Sequence, residues 1–276
     1  MAVEPRDAAT VILLRNREGE KNGGIEVLMV LRHPKSDFVP GSYVFPGGGL
    51  EEEDLRAGTE ALCAGLDRET ACRVLDDAAS PDRALGVWVT AVRETFEEVG
   101  LLMAYRHDGT LLSIESENEV EKFHSYRRRQ REGALSFTEM LDREGLTLAT
   151  DRLFYYSHWI TPEPSPVRYD TRFFIAEAPA RQRALHDGVE LTEHLWVAPA
   201  KALDDFRKGT FDMVLPTMVT LEELERFSNT ADALRVFRDR QVEAYCIKIE
   251  YDEEEGVVVL HAPDGRTFKR KPPSVR

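Results

Sequence analysis

The chain of 276 residues has few cysteines and fewer basic than acidic side chains. Its cysteines, Cys63, Cys72 and Cys246, are widely spaced and form no CxxC or Cys/His pattern, which argues against a zinc site and favours a reducing compartment. The 36 Lys and Arg residues against 50 Asp and Glu residues give a net charge of −14. No cationic excess is available to displace counterions from phosphates, so we expect no binding to nucleic acid.

Long apolar runs are also missing from the sequence. None approaches the roughly 20 residues that span a bilayer, and the first residues lack the basic-then-apolar layout of a signal peptide. We therefore expect a cytoplasmic protein that does not insert into membranes. The 42% of apolar residues is nevertheless enough for a sizeable core, so a folded domain is expected.

Strand-like and helical patterns alternate along the chain, which predicts an α/β (or α+β) layered domain. A helix is expected over 82–99, with Ser80 as N-cap, Pro81 at its first position and Gly100 at its end. Ser136 and Glu139 form a capping-box pattern for another helix. Further helices are expected within 59–66, 68–75, 115–145 and 220–227, a hairpin at 10–14 and 25–31 around an Asn22-Gly23-Gly24 turn, and strands at 41–45, 153–160, 171–176, 194–197, 244–249 and 257–261.

Three glutamates crowd the last turns of the 82–99 helix, in the segment Arg93-Glu94-Thr95-Phe96-Glu97-Glu98-Val99-Gly100. At helical spacing the three carboxylates share one stripe, while Trp88, Val92, Phe96 and Val99 should face the core. Acids at the negative end of a helix dipole cost about 0.3–1 kcal/mol each. A solvated acidic helix face is one explanation; a bound divalent cation, which takes hard oxygen ligands, is the other.

The same segment resembles the right half of the Nudix box, G-x5-E-x7-R-E-U-x-E-E-x-G-U, with Thr95 at an apolar (U) position. The left half resembles Phe45-Pro46-Gly47-Gly48-Gly49, with Asp54 where the pattern has Glu. Arg93 follows Gly48 by 45 residues, 31 more than in the pattern. This interruption, with the segments 159–163 and 169–174, is similar to the long-insert branch that includes coenzyme A diphosphatases.

The resemblance implies a Nudix-type α/β/α sandwich with a mixed β-sheet. It implies a single domain over 1–276, with a helical insert at about 51–81 and a C-terminal extension at about 200–276. Because the insert and the extension lie next to the box, we expect them to form a substrate wall or a dimer contact. By the family's pattern, Glu97 and Glu98 bind Mg²⁺ (or Mn²⁺ in its place), together with the carbonyl of Gly48 or Gly47. Glu94 would bind metal or accept a proton from water, and Arg93 would orient the glutamates. A general base outside the box is expected at Glu193, with Glu190 as the alternative.

Two arginines are candidates for substrate contacts. Arg32 matches part of a second coenzyme A diphosphatase signature, but Asp37 replaces a second arginine of that signature, and Arg32 could equally be a surface residue. Arg172 could bind a phosphate through its fork of donors. The alternative is an ion pair between Arg172 and Asp170 or another acid.

The leading hypothesis is hydrolysis of the diphosphate linkage of coenzyme A or an acyl-CoA, a small nucleoside-diphosphate-type molecule. A second hypothesis is hydrolysis of the diphosphate linkage of ADP-ribose, a dinucleotide or a nucleotide sugar. A third is a non-catalytic nucleotide-binding module. The retention of Glu94, Glu97 and Glu98 favours catalysis over this third reading.

Overall fold

A computed structural model describes residues 3–17, 23–163, 165–185 and 191–270. The first half contains the strands β1 (Arg6–Asn16), β2 (Ile25–Arg32), β3 (Tyr43–Val44), β4 (Gly47–Gly49), β5 (Ala104–Tyr105) and β6 (Thr147–Leu148), and the helices α1 (Arg68–Val74), α2 (Pro81–Val99), α3 (Glu117–Arg131) and α4 (Phe137–Glu144). Short 3₁₀ helices lie at Glu52–Leu55, Thr59–Leu62 and Thr150–Arg152.

The second half contains the strands β7 (Phe154–Ile160), β8 (Tyr169–Glu177), β9 (Leu191–Val197), β10 (Ala244–Cys246), β11 (Lys248–Asp252), β12 (Val257–His261) and β13 (Thr267–Arg270), and the helices α5 (Pro199–Arg207), α6 (Leu215–Leu224) and α7 (Thr230–Phe237). The main sheet has the order β10-β7-β8-β1-β2-β3, with β4 paired to β1 and β9 paired to β2. β1 runs parallel to β8 and antiparallel to β2, so the sheet is mixed.

The main sheet is covered by helices on both faces because its central strands are apolar on both sides. Along β1, Val11 and Leu13 belong to one core, which includes α2, whereas Ile12 and Leu14 belong to a second core, which includes α6 and α7. Successive side chains of a strand point to opposite faces, so this alternation separates the two cores. The expected α/β/α sandwich with a mixed sheet is confirmed.

Helix α2 has the start and the end that its sequence predicts. Ser80 Oγ accepts a hydrogen bond from the backbone N–H of Arg83 at 3.2 Å, Pro81 occupies the first turn, and Gly100 ends the helix in the left-handed conformation at φ 73°. Trp88, Val92, Phe96 and Val99 are buried in the first core, as expected. The capping box of Ser136 and Glu139 is also present, at the start of α4.

Three predicted elements differ from those observed. The helix expected at 220–227 begins earlier, as α6, because Pro216 occupies its first turn. The strand expected at 244–249 is divided into β10, which pairs with β7, and β11, which pairs with β12. Residues 59–62 form a 3₁₀ turn rather than part of a longer helix. The hairpin of β1 and β2 is confirmed, although Asn22 of its turn lies outside the described residues.

Candidate active site

Arg93 is the buried centre of the Nudix-box segment. Its guanidinium pairs with Asp54 at two points, Nε to Oδ1 at 2.9 Å and Nη2 to Oδ2 at 3.0 Å, and both side chains are 1% exposed. Its Nη1 donates to Glu94 at 3.0 Å and to Glu97 at 3.1 Å. Arg93 therefore contacts two of the box glutamates. Asp54, which stands where the box pattern has its first Glu, is its buried partner.

Thr95 departs from the box pattern at a buried position, and the helix accommodates it. The Thr95 hydroxyl donates to the carbonyl of Ala91 at 2.7 Å, so the polar group is satisfied inside the core.

Asp54 Oδ2 also accepts from the hydroxyl of Thr90 at 2.8 Å and from the backbone N–H of Glu51 at 3.0 Å. The segment 51–54 is thus tied to helix α2 through one carboxylate.

The glycine strand β4 lies directly against Glu94. A Cβ placed on Gly48 would be 2.5 Å from the Glu94 carboxylate, and one placed on Gly47 would be 2.3 Å from the carbonyl oxygen of Ala9. Gly47 also has φ 156°, which side-chain-bearing residues rarely adopt. Gly48 therefore allows β4 to lie directly against Glu94 of α2, and Gly47 allows β4 to pack closely against β1.

Glu98 adopts a different environment from the other two box glutamates. Its Oε2 accepts a hydrogen bond from the backbone N–H of Gly47 at 2.9 Å, and the residue is buried. Glu94 and Glu97 instead share the guanidinium of Arg93. The box acids thus surround the junction of β4 and α2, with one held by the glycine backbone and two held by Arg93.

Arg127, which is not among the site residues predicted from the sequence, supports the last turn of α2. Arg127 of α3 is buried, and its guanidinium donates to the backbone carbonyls of Glu97 at 2.9 Å, Glu98 at 3.0 Å and Leu185 at 2.8 Å. The carbonyls of the last helical turn lack partners within the helix, and a cation there opposes the negative end of the dipole. No spacing rule indicated that Arg127, rather than its neighbours, would face inward.

Burial has the largest effect on the pKa values of Glu94 and Glu97. It raises the pKa of Glu94 from 4.5 to about 8, with Arg93 opposing the rise and Glu97 adding to it. Burial likewise raises the pKa of Glu97 to about 7, opposed by Arg93 and increased by Glu51. Burial lowers the pKa of Arg93, but Glu94, Asp54 and Glu97 raise it by more, so it stays charged. The positive charge of Arg93 therefore does not fully offset the effect of burial on the pKa values of Glu94 and Glu97.

Glu94 and Glu97 open into a cleft of about 490 Å³. The glycines of β4, Glu51 and Arg32 belong to the same wall, and apolar side chains of β7 and of the C-terminal region complete the lining. This size falls within the roughly 300–1,000 Å³ of small-molecule sites. The cleft therefore combines carboxylates, a close backbone strand and an apolar surface in one place.

Of the two candidate arginines, the structure places one in the cleft. Arg32 lines it, and its Nε donates to the carbonyl of Phe38 at 3.0 Å, which holds the guanidinium at the wall. Arg172 does not line the cleft: it is buried and contacts Asp7 at 2.7 Å, Asp77 at 3.0 Å and Asp170 at 3.3 Å. The ion-pair alternative for Arg172 therefore replaces the expected substrate-binding role, because three carboxylates already pair with its guanidinium.

Glu193, the general base predicted outside the box, does not lie in the cleft. It is exposed on β9 and accepts a hydrogen bond from the Tyr43 hydroxyl at 3.0 Å. Burial, with Glu193 adding to it, raises the pKa of that hydroxyl to about 12. Glu190 lies outside the described residues. Glu94 is therefore the base candidate that the geometry places beside the glycine strand.

The cleft contains donor atoms of the kind that bind a divalent cation. Glu94 and Glu97 offer hard carboxylate oxygens at the cleft, which are the ligands that Mg²⁺ or Mn²⁺ takes, so the residues fit such a cation. Their oxygens are not gathered into a tight triad with Glu98. Within the described ranges, the group of three whose ligand atoms lie within 4.8 Å is Asp77, His158 and Asp170, and there Arg172 already pairs with both acids.

Comparison with known proteins agrees with this geometry. Residues 70–224, just over half of the chain, match the family described as the NUDT19 Nudix domain. The chain is 26% identical over 244 residues to the acyl-coenzyme A diphosphatase NUDT19 of Xenopus laevis, covering 79% of this chain and 64% of that protein. It is 26% identical over 274 residues to the protein of the same name from Gallus gallus, covering 86% and 72%.

A solved structure extends the match to most of the chain. The crystal structure of a NUDIX hydrolase from Alicyclobacillus acidocaldarius superposes with a TM-score of 0.67 and 27% identity, covering 86% of this chain and 99% of that one. This chain belongs to the Nudix hydrolase family, in the group of the NUDT19 Nudix domain. It spans just under two thirds of the length of the Xenopus relative. No helix among the described residues is long and apolar enough to cross a membrane.

Proposed function

We propose that the protein is a Nudix diphosphatase that requires a divalent cation, Mg²⁺ or Mn²⁺, and hydrolyses the diphosphate linkage of coenzyme A or an acyl-CoA. The observation that carries the proposal is the placement of the Glu94 carboxylate against the Gly48 backbone inside the cleft. The relatives named as acyl-coenzyme A diphosphatases support the substrate class.

The roles of the residues follow from their contacts. Glu94 and Glu97 face the cleft, and Glu97 would hold the cation there, with Glu98 and the Gly48 carbonyl as further ligands from the family's pattern. When bound, the cation neutralises the diphosphate oxygens and increases the nucleophilicity of water. Arg93 keeps the two glutamates in place from behind, and Arg32 is positioned to contact a phosphate.

Proton removal from the attacking water is assigned to Glu94. Its carboxylate lies at the glycine strand in the cleft, where the reacting diphosphate must bind for the reaction to occur. Glu193, the candidate from sequence, would need to reach the cleft from β9. Glu94→Gln and Glu193→Gln separate the two assignments: we expect the first to lower kcat by at least about 100-fold and the second by less than about threefold. Equal losses of kcat in the two variants would indicate that Glu193 takes part in the reaction.

The proposal is tested with a substrate panel in the presence of Mg²⁺, read by product mass. Coenzyme A should yield 3′-phosphoadenosine 5′-phosphate and 4′-phosphopantetheine, one water being consumed per diphosphate cut. Glu97→Gln and Glu98→Gln should abolish most turnover. Glu52→Gln is the matched control, because Glu52 is exposed beside Glu51 and does not line the cleft.

Other outcomes identify the competing functions. Turnover of ADP-ribose, a dinucleotide or a nucleotide sugar without turnover of any CoA compound would replace the proposed substrate and keep the chemistry. Tight binding of a nucleotide without any product would indicate the non-catalytic module. Full activity in excess chelator would contradict the cation requirement.

A further inference from the structure

The C-terminal extension adds an apolar surface to the cleft that contains the catalytic carboxylates. β11, β12 and β13 form a separate antiparallel sheet, in which Ile249 lies directly opposite Leu260. Residues opposite each other on antiparallel strands project to the same side of the sheet. Both residues line the cleft together with Ile247.

This small sheet is attached beside the cleft through β7. β10 pairs with β7 in parallel, with Tyr245 opposite Trp159, and their rings meet edge to face at 5.6 Å. The Tyr245 hydroxyl donates to the carbonyl of His261 at 2.9 Å, which connects β10 to the end of β12. Trp159 itself lines the cleft. The apolar surface is therefore held next to the site by both backbone and side-chain contacts.

The apolar surface suits one part of an acyl-CoA better than the others. The side chains of Ile247, Ile249 and Leu260 carry no hydrogen-bonding group, so they suit an alkyl chain rather than the edge of a base or a phosphate. Ile249 is 43% exposed although it is large and apolar. An alkyl chain bound against it would remove apolar surface from water. Glu94 and Glu97 line the same cleft, so a diphosphate bound at them would share one cavity with this apolar surface.

We infer that Ile247, Ile249 and Leu260 form the binding wall for the acyl chain of an acyl-CoA substrate, so that the C-terminal extension makes the enzyme prefer acylated over free coenzyme A. This inference rests on the proposed function. Of the two roles expected for the extension, a substrate wall or a dimer contact, it selects the wall. The adenosine part of the substrate then binds in another part of the cleft.

The test compares free coenzyme A, butyryl-CoA and dodecanoyl-CoA as substrates of the full chain, by kcat/KM. Variants Ile249→Ser and Leu260→Ser are measured against Val236→Ser, a change at an exposed apolar residue of α7 that is 52% exposed and outside the cleft. Ile249 is partly exposed, so its variant should fold; melting temperatures of all three variants verify this.

We expect Ile249→Ser to lower kcat/KM for dodecanoyl-CoA by on the order of tenfold, with a smaller loss for butyryl-CoA and less than about twofold for free coenzyme A. Val236→Ser should leave the preference among the three substrates as in the wild type. Equal losses for free and acylated coenzyme A would show that the wall binds the shared nucleotide part, and no loss would show that it binds nothing; either overturns the inference. If the wild type cleaves no CoA compound, the proposed function itself is wrong.

Discussion

Asp54 and Arg93 form a two-point ion pair across an interruption of the box, joining a carboxylate of the insert to the guanidinium of the catalytic helix. Both side chains are buried, so the pair is shielded from water. Arg93 in turn contacts two box glutamates. The insert therefore lengthens the chain between the halves of the motif without separating them in space.

Asp54→Asn should destabilise the protein by about 3 kcal/mol, because Arg93 would lose its bidentate partner while remaining buried. Urea unfolding measures the change, and Asp76→Asn, at an exposed position in the same insert, is the control. We also expect kcat to fall, since Arg93 would no longer be held in position beneath Glu94 and Glu97. A loss no larger than that of the control would show that the pair does not stabilise the fold.

Gly48→Ala should lower kcat by on the order of 100-fold while changing stability little. The new methyl group would overlap the Glu94 carboxylate, and the flexible end of that side chain would have to move out of position. Gly49→Ala is the comparison, because a Cβ there meets nothing within 4 Å. We expect it to have a much smaller effect on kcat, and similar losses in the two variants would contradict the steric explanation.

Arg127→Ala should weaken both stability and cation binding. The change would leave two buried carbonyls, those of Glu97 and Glu98, without their donor, at about 1–3 kcal/mol for each unsatisfied group. The last turn that carries these glutamates would loosen, so the Mg²⁺ concentration for half-maximal activity should rise. Arg128→Ala, at the exposed neighbouring position, is the control and should leave both measurements unchanged.

Removal of divalent cations should make stability fall as pH rises. Glu94 and Glu97 have folded-state pKa values of about 8 and about 7 against 4.5 ordinarily, so the folded protein favours their protonated forms. Their contribution to stability is complete below about pH 4.5 and is lost as pH rises through about 7 to 8. In chelator, the melting temperature should therefore decline across this window.

Added Mg²⁺ should reverse that decline, because a cation stabilises the ionised carboxylates. The difference in melting temperature with and without Mg²⁺ should accordingly grow between about pH 5 and pH 8. The double variant Glu94→Gln/Glu97→Gln should show a flatter profile in chelator and little response to Mg²⁺. An unchanged profile in this variant would assign the pH dependence to other groups.

The local features of the site could be predicted from the sequence alone. Ser80, Pro81 and Gly100 set the limits of the catalytic helix through local capping interactions, and the spacing of Trp88 and Phe96 predicted its buried face. The resemblance to the Nudix box located the acids on that helix. These features depend on neighbours within a few residues, which is why sequence patterns report them.

The contacts between residues far apart in the chain could not be predicted from the sequence, because they depend on the tertiary structure. The pairing of Asp54 with Arg93, the inward turn of Arg127 and the capture of Arg172 by three acids all join segments far apart in the chain. A charged residue has similar local propensities whether it binds a substrate, a helix end or a buried acid, so its partner depends on how the layers pack. The contribution of the C-terminal sheet to the cleft is of the same kind, because it follows from the pairing of β10 with β7.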